Sequence, residues 1–344
     1  PYVHAATEAS AAVDMMRAVR DDFSLEHDVL INEQVFVTGY SQGGHAAMAL
    51  HRELETKLGS EFHVTASAPM SGPYSISGVM REVALAEKEY FYPGFLPFTI
   101  LGYQTAYGNL YDDLADVFKP DYLPMVQKFA DEEIDLLQLN DFLVNTLIQN
   151  HGESVPRYMF VDSLINEVEF NPDHPFNVAL RDNDVYDWAP QASTRLYYCM
   201  ADDQVPYLNS VLADSVMNAN GAPNVLAIDL DSDANHAQCA VPALTAGIFF
   251  FGVFQRIDAV TATTERDALP EVQLFPNPAS ELLFLQNLEE ETTIELYDLL
   301  GRSVLRQTLA PGNHTLDVGG YERGTYLLRL KVGAREGVRT VLLQ

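Results

Sequence analysis

The chain has 344 residues, space for one large domain and a small one, and its 47% hydrophobic content with 17 tyrosines and 18 phenylalanines supplies a packed core, which excludes global disorder. A formal charge of −29 excludes the basic face that nucleic acid requires, disfavours adhesion to anionic lipid, and reads as a solvated acidic surface suited to salty surroundings. No stretch reaches the roughly 18 consecutive apolar residues that span a bilayer.

Residues 5–23 have helical spacing, with Ala12, Val13, Met16, Ala18 and Val19 on one side. Residues 34–38 form a short apolar run of the kind buried on both faces of a parallel sheet. Gly39-Tyr40-Ser41-Gln42-Gly43 follows at once, and a helical segment over 46–58 comes next. Strand, sharp turn and helix in that order form the setting of a nucleophile elbow. The turn is too tight for bulky neighbours, hence a glycine two residues to either side of Ser41. The Ser41 hydroxyl would stand above the carboxyl end of the strand, and the Gln42 amide would face a developing oxyanion. Residues 62–68 read as the next strand.

From about 75 to 175 the strand–helix alternation stops. That tract is rich in Tyr, Phe and Leu, is punctuated by prolines at 93, 97, 120, 124 and 156, and has helical patches at 79–89, 110–118 and 132–149. An aromatic, helical insertion between two sheet strands reads as a cap over an active site. Alternation resumes with strand 194–200, helix 208–218, strand 224–228 and helix 237–254, whose apolar tract 241–254 reads as buried. Residues 258–270 read as a linker, and seven short alternating strands between 272 and 343 fit a small β-sandwich. Residues 271–344 hold ten acidic and seven basic residues, a net of only −3 of the chain's −29, which marks a separate module.

A serine hydroxyl becomes a nucleophile when a base takes its proton, and the base needs an orienting carboxylate. On an α/β sheet these arrive in the order Ser, Asp or Glu, His, each just past a strand. Asp202, in Ala-Asp-Asp-Gln-Val-Pro after strand 194–200, fits the second place, with Asp203 as competitor and a helix-capping role as the bland alternative. His236 fits the third. Of the nine histidines, His45 and His51 share the nucleophile's helix, His4, His27 and His63 come too early, His151 and His174 lie in the cap and His314 in the tail. Cys199 and Cys239 flank the Asp and His loops, so they form either a bridge tying those loops together or two buried thiols. No metal or cofactor motif is present, and Asp229, Asp231 and Asp233 read as loop solvation.

The segments Gly39–Ala47, Ala201–Pro206 and Asn235–Cys239 resemble the secretory-lipase-like branch of the α/β-hydrolase family over roughly residues 1–257. The resemblance implies a partial α/β-hydrolase sheet with a helical cap insertion. It implies a carboxylic-ester hydrolase acting on ester or lipid substrates through an acyl-serine, with Ser41 as nucleophile, Asp202 as orienting acid, His236 as base and the Gln42 amide as one oxyanion donor. A serine peptidase and an inactive surface-displayed binding protein are the alternatives. The family has further strands ahead of the nucleophile strand. Those strands are therefore expected upstream of Pro1 together with a second oxyanion donor, and the chain alone is expected to turn over poorly. Leu274–Ala279, Ile294–Gly301, Leu316–Val318 and Gly324–Tyr326 resemble the type A C-terminal sorting domain of the Bacteroidetes type IX secretion system. That resemblance implies export across the periplasm and outer membrane, with the secretion machinery as partner and a secreted or cell-surface location. The expected domains are a catalytic domain over 1–257, a linker over 258–270 and a sorting domain over 271–344.

Overall fold

Four parallel strands, β1 (Val35–Tyr40), β2 (Val64–Met70), β3 (Ser193–Tyr198) and β4 (Val225–Asp229), lie side by side in that order in the computed structural model. The structure describes residues 1–27, 31–256, 272–298, 301–333 and 335–344; the expected linker lies outside them. Two compact units divide the chain, Pro1–Arg256 and Ile257–Gln344. β1 and β2 each continue two residues past the expected end. The chain therefore turns at Ser41 directly off the sheet, with Ser41 donating its N–H to the Met70 carbonyl at 2.9 Å.

Helix α1 (Ala5–Ala18) packs on α2 (Gln42–Lys57), which carries the residues after Ser41. α1 buries Ala5, Ala9 and Val13, a row spaced four apart, whereas of the expected face only Val13 is buried and Val19 is exposed. The small side chains at 5 and 9 let the two helices approach closely, and that outweighs the greater hydrophobicity of the other side.

The cap is built from α3 (Phe95–Tyr107), α4 (Leu123–Ala130), α5 (Leu136–His151), α6 (Asp162–Phe170) and α7 (Pro175–Asp182). Tyr103, Phe118, Tyr122, Leu139, Leu143, Leu147 and Met159 fill its own core. Asp135 and Gln138 form a capping box at the start of α5, whose leucines at 139, 143 and 147 recur once per turn on the inner face. α3, α4, α6 and α7 were not expected. Pro97, Pro124 and Pro175 occupy first turns, where the missing N–H has no intrahelical partner to lose, so prolines that look like breakers in the sequence are starters. The helix expected over 110–118 shrinks to one turn, Leu114–Asp116, because Phe118 pairs with Phe160 as an extended bridge.

α8 (Leu208–Ala219) joins β3 to β4, and α9 (His236–Gly252) follows β4. α9 is not the buried helix expected: Cys239, Ala243 and Gly247 face the sheet, while Val241, Ile248 and Phe249 are more than 70% exposed. A Cβ on Gly247 would come within 2.3 Å of the Met70 side chain, which sets the closeness of that helix to β2.

The second unit has all seven expected strands: β5 (Gln273–Phe275), β6 (Leu282–Leu288), β7 (Thr292–Tyr297), β8 (Ser303–Leu309), β9 (Gly312–Asp317), β10 (Gly324–Val332) and β11 (Arg335–Leu343). They form antiparallel sheets of order β11-β10-β7-β8 and β5-β6-β9. Alternate residues, such as Leu283 and Leu285, Ile294 and Leu296, Leu328 and Leu330, make the core between them.

Candidate active site

Ser41 adopts φ 61° and ψ −126°, a conformation costly for any residue with a Cβ. Its carbonyl accepts from Gly44 and His45 at 2.8 and 3.3 Å, which holds the turn from the helix side. The glycines around it have unequal duties. A Cβ on Gly39 would lie 2.0 Å from the Gly43 carbonyl oxygen, and one on Gly44 would lie 2.5 Å from the Met70 carbonyl oxygen. A Cβ on Gly43 would meet nothing within 4 Å. Steric need thus falls on Gly39 and Gly44, not symmetrically on the residues two before and two after Ser41.

His236 opens α9, where Asn235 and Gln238 form a capping box. Its backbone is held at both ends: the N–H donates to Asp203 Oδ1 at 3.1 Å, and the carbonyl accepts the Tyr40 hydroxyl at 2.6 Å. Burial, reinforced by the nearby Asp202 and Asp203 charges, pushes the Tyr40 phenol up to about 12, so it stays protonated and remains a donor. The His236 ring reaches Asp202 Oδ2 through Nδ1 at 2.7 Å and Ser41 Oγ through Nε2 at 2.8 Å. A carboxylate facing Nδ1 places the proton there, which leaves the Nε2 lone pair toward the Ser41 hydroxyl. Asp202 cannot turn away, because its Oδ1 accepts the Gln204 and Val205 amides at 3.0 and 2.8 Å. The Asp202 side chain is 1% and that of His236 7% exposed. Both aspartates therefore hold His236, one through its ring and one through its main chain.

Cys199, just past β3, and Cys239, in the first turn of α9, are joined by a disulfide with Cα atoms 5.9 Å apart. The bond lies between the Asp202 loop and the helix that starts with His236. The Gln42 amide is the first of α2, a position with no intrahelical acceptor, and is free to donate to a ligand beside Ser41.

A cleft of about 140 Å³ opens at Ser41 and Gln42 and runs under the cap. Ile76, Met80, Leu96, Ile100, Phe160 and Phe176 line it, with Arg81, Thr99 and Gln204 among its few polar residues. Two of the Arg81 donors are already engaged, by Asn177 Oδ1 and the Val168 carbonyl. Among the described residues no group of three His, Cys, Asp or Glu side chains is placed to hold a metal, and no helix is long and apolar enough to cross a membrane. Asp229 and Asp231 accept the backbone amides of Met200 and Asp233.

Sequence reasoning missed a buried cluster next to Ser41. Glu8 on α1 bonds the Gln42 side chain through Oε1 and His45 Nδ1 through Oε2, the latter at 2.7 Å. The only sequence signal is the three-residue spacing of Gln42 and His45, which puts both on one side of α2. Nothing in the sequence pairs that side with residue 8.

No curated protein matches the chain. Residues 273–344 match the family described as the secretion system C-terminal sorting domain. Among solved structures the chain is similar to the rice cell wall degrading esterase LipA from Xanthomonas oryzae, with 30% identity over 74% of this chain and 65% of that one and a TM-score of 0.61. It is also similar to a candidate hydrolase from Legionella pneumophila, 23% identical over 75% of this chain and 66% of that one, TM-score 0.64. Candida antarctica lipase A is 15% identical over 74% of this chain and 56% of that one, TM-score 0.55. The last two likenesses bear on fold alone. The chain thus spans just under two thirds of the LipA chain. It joins a unit with the α/β-hydrolase fold to a C-terminal domain of the type IX secretion sorting family, which marks the protein for export.

Proposed function

We propose that the protein is an exported serine hydrolase of carboxylic esters. Ser41 attacks the ester carbonyl as His236 Nε2 takes its proton, and Asp202 stabilises the imidazolium so formed. The Gln42 amide donates to the oxyanion. The imidazolium then protonates the leaving alcohol, leaving an acyl-serine. Water, activated by the same imidazole, releases the acid and restores Ser41. The observation that carries this reading is the continuous hydrogen-bonded chain from Ser41 Oγ through His236 to Asp202, at 2.8 and 2.7 Å. The apolar cleft and the likeness to the LipA esterase support an ester with an apolar part over a peptide. The type IX secretion machinery is the proposed partner of the tail. A fluorophosphonate should label the protein, Ser41→Ala should abolish labelling, and p-nitrophenyl esters should turn over faster than peptide nitroanilides. Labelling that persists in Ser41→Ala, or faster cleavage of the nitroanilides, would overturn the reading.

A further inference from the structure

The carboxylate of Glu8 is bonded through both oxygens to one turn of α2, and its side chain is only 8% exposed. Gln42 Nε2 donates to Oε1, and His45 Nδ1 meets Oε2 at 2.7 Å. The other nitrogen of the wholly buried His45 ring, Nε2, faces the Asn183 carbonyl at 2.9 Å. Asn183 in turn accepts the Ala5 N–H through Oδ1 at 2.8 Å, which closes a loop back to the start of α1.

Proton accounting restricts the cluster. A carbonyl oxygen only accepts, so His45 Nε2 must carry a hydrogen. Nδ1 and Glu8 Oε2 then share a second one, because two bare acceptors 2.7 Å apart in a buried site would repel. The pair therefore has no net charge, as imidazolium with carboxylate or as imidazole with carboxylic acid. A buried lone carboxylate one residue from the proposed oxyanion donor would oppose the charge that builds there. A neutral pair does not.

Gln42 bears the proposed donor on its backbone and the tether on its side chain. That N–H shares a peptide plane with the Ser41 carbonyl, which accepts the Gly44 and His45 amides, so by tying the side chains of Gln42 and His45 together Glu8 steadies the turn that sets the direction of the N–H. We propose that Glu8 is a positioning residue: with His45 as its charge partner it fixes the Gln42 amide toward the oxyanion without placing negative charge beside it. The proposal rests on the ester-hydrolase reading for its kinetic consequence only.

The test compares Glu8→Ala with Glu8→Gln. Glutamine reproduces every bond without charge: its oxygen accepts from Gln42 Nε2 and its amide donates to neutral His45 Nδ1, while His45 keeps its Nε2 hydrogen for Asn183. Glu8→Ala should lower kcat about 10- to 100-fold with KM changed less than about threefold, the size expected when an oxyanion donor is misaimed, and Glu8→Gln should recover kcat to within about threefold. Selective 15N-glutamine labelling gives a readout independent of turnover: the Gln42 amide resonance should move in Glu8→Ala and return in Glu8→Gln. An unmoved resonance in Glu8→Ala, or a Glu8→Gln as displaced as Glu8→Ala, would overturn the proposal whether or not esters are cleaved. An unmoved kcat in a folded Glu8→Ala would do the same when the parent is active. A parent that cleaves no ester but shows the amide displacement and its rescue would leave the positioning intact and remove the hydrolase reading instead.

Discussion

Adjacent aspartates in this chain act on one histidine through different atoms, and that difference sets what their removal should cost. Asp202 fixes the ring tautomer through Nδ1 while its second oxygen is held by two amides; Asp203 touches only the main chain of His236. Asp202→Asn presents an N–H or a weaker acceptor to Nδ1 and should lower kcat on a p-nitrophenyl ester by about 10³–10⁴-fold. Asp203→Asn keeps a neutral oxygen for the His236 amide and should cost less than about tenfold; equal losses would show that the ring contact has no special weight. Ser41, Asp202 and His236 are legible in the sequence because each follows a strand with a recognisable apolar run. Glu8 is not legible: its partners on α2 become neighbours only once Ala5 and Ala9 let two helices close up, and no local pattern records that approach.

At the scale of elements, the elbow makes a prediction that the usual five-residue pattern does not. Gly44→Ala forces backbone apart at β2 and should destabilise by more than about 2 kcal/mol, whereas Gly43→Ala enters open space on a helix and should be neutral or stabilising by up to about 1 kcal/mol in urea denaturation. Losses of similar size at both positions would contradict the asymmetry. The bond from Cys199 to Cys239 closes a loop of sequence separation 40, so reduction should cost about 2–4 kcal/mol of stability, read as a lower urea midpoint. The sheet strands and the tail strands were readable, since period-two or continuous apolar runs bounded by turns have few other solutions. The cap was not. Its helices bury irregular aromatic faces in a core of their own, and three of them contain a proline in the first turn.

For the whole molecule, a charge of −29 carried mostly ahead of the tail leaves the surface repelling itself. Raising sodium chloride from about 50 mM to about 0.5 M shortens the Debye length to a few ångströms and should raise the first unfolding Tm by several degrees. A Tm that does not move would mean the carboxylates are spaced beyond mutual influence. The sorting domain adds a history to this chemistry. Synthesis takes place among reductants that keep Cys199 and Cys239 as separate thiols, and the covalent tie between the Asp202 loop and the His236 helix becomes favourable only in an oxidising compartment. In any copy that folds before export, hydrogen bonds alone would align His236. A hydrolase of apolar esters, as proposed, would thus lack that covalent tie while surrounded by its own cell's membranes, and would gain its final rigidity after departure.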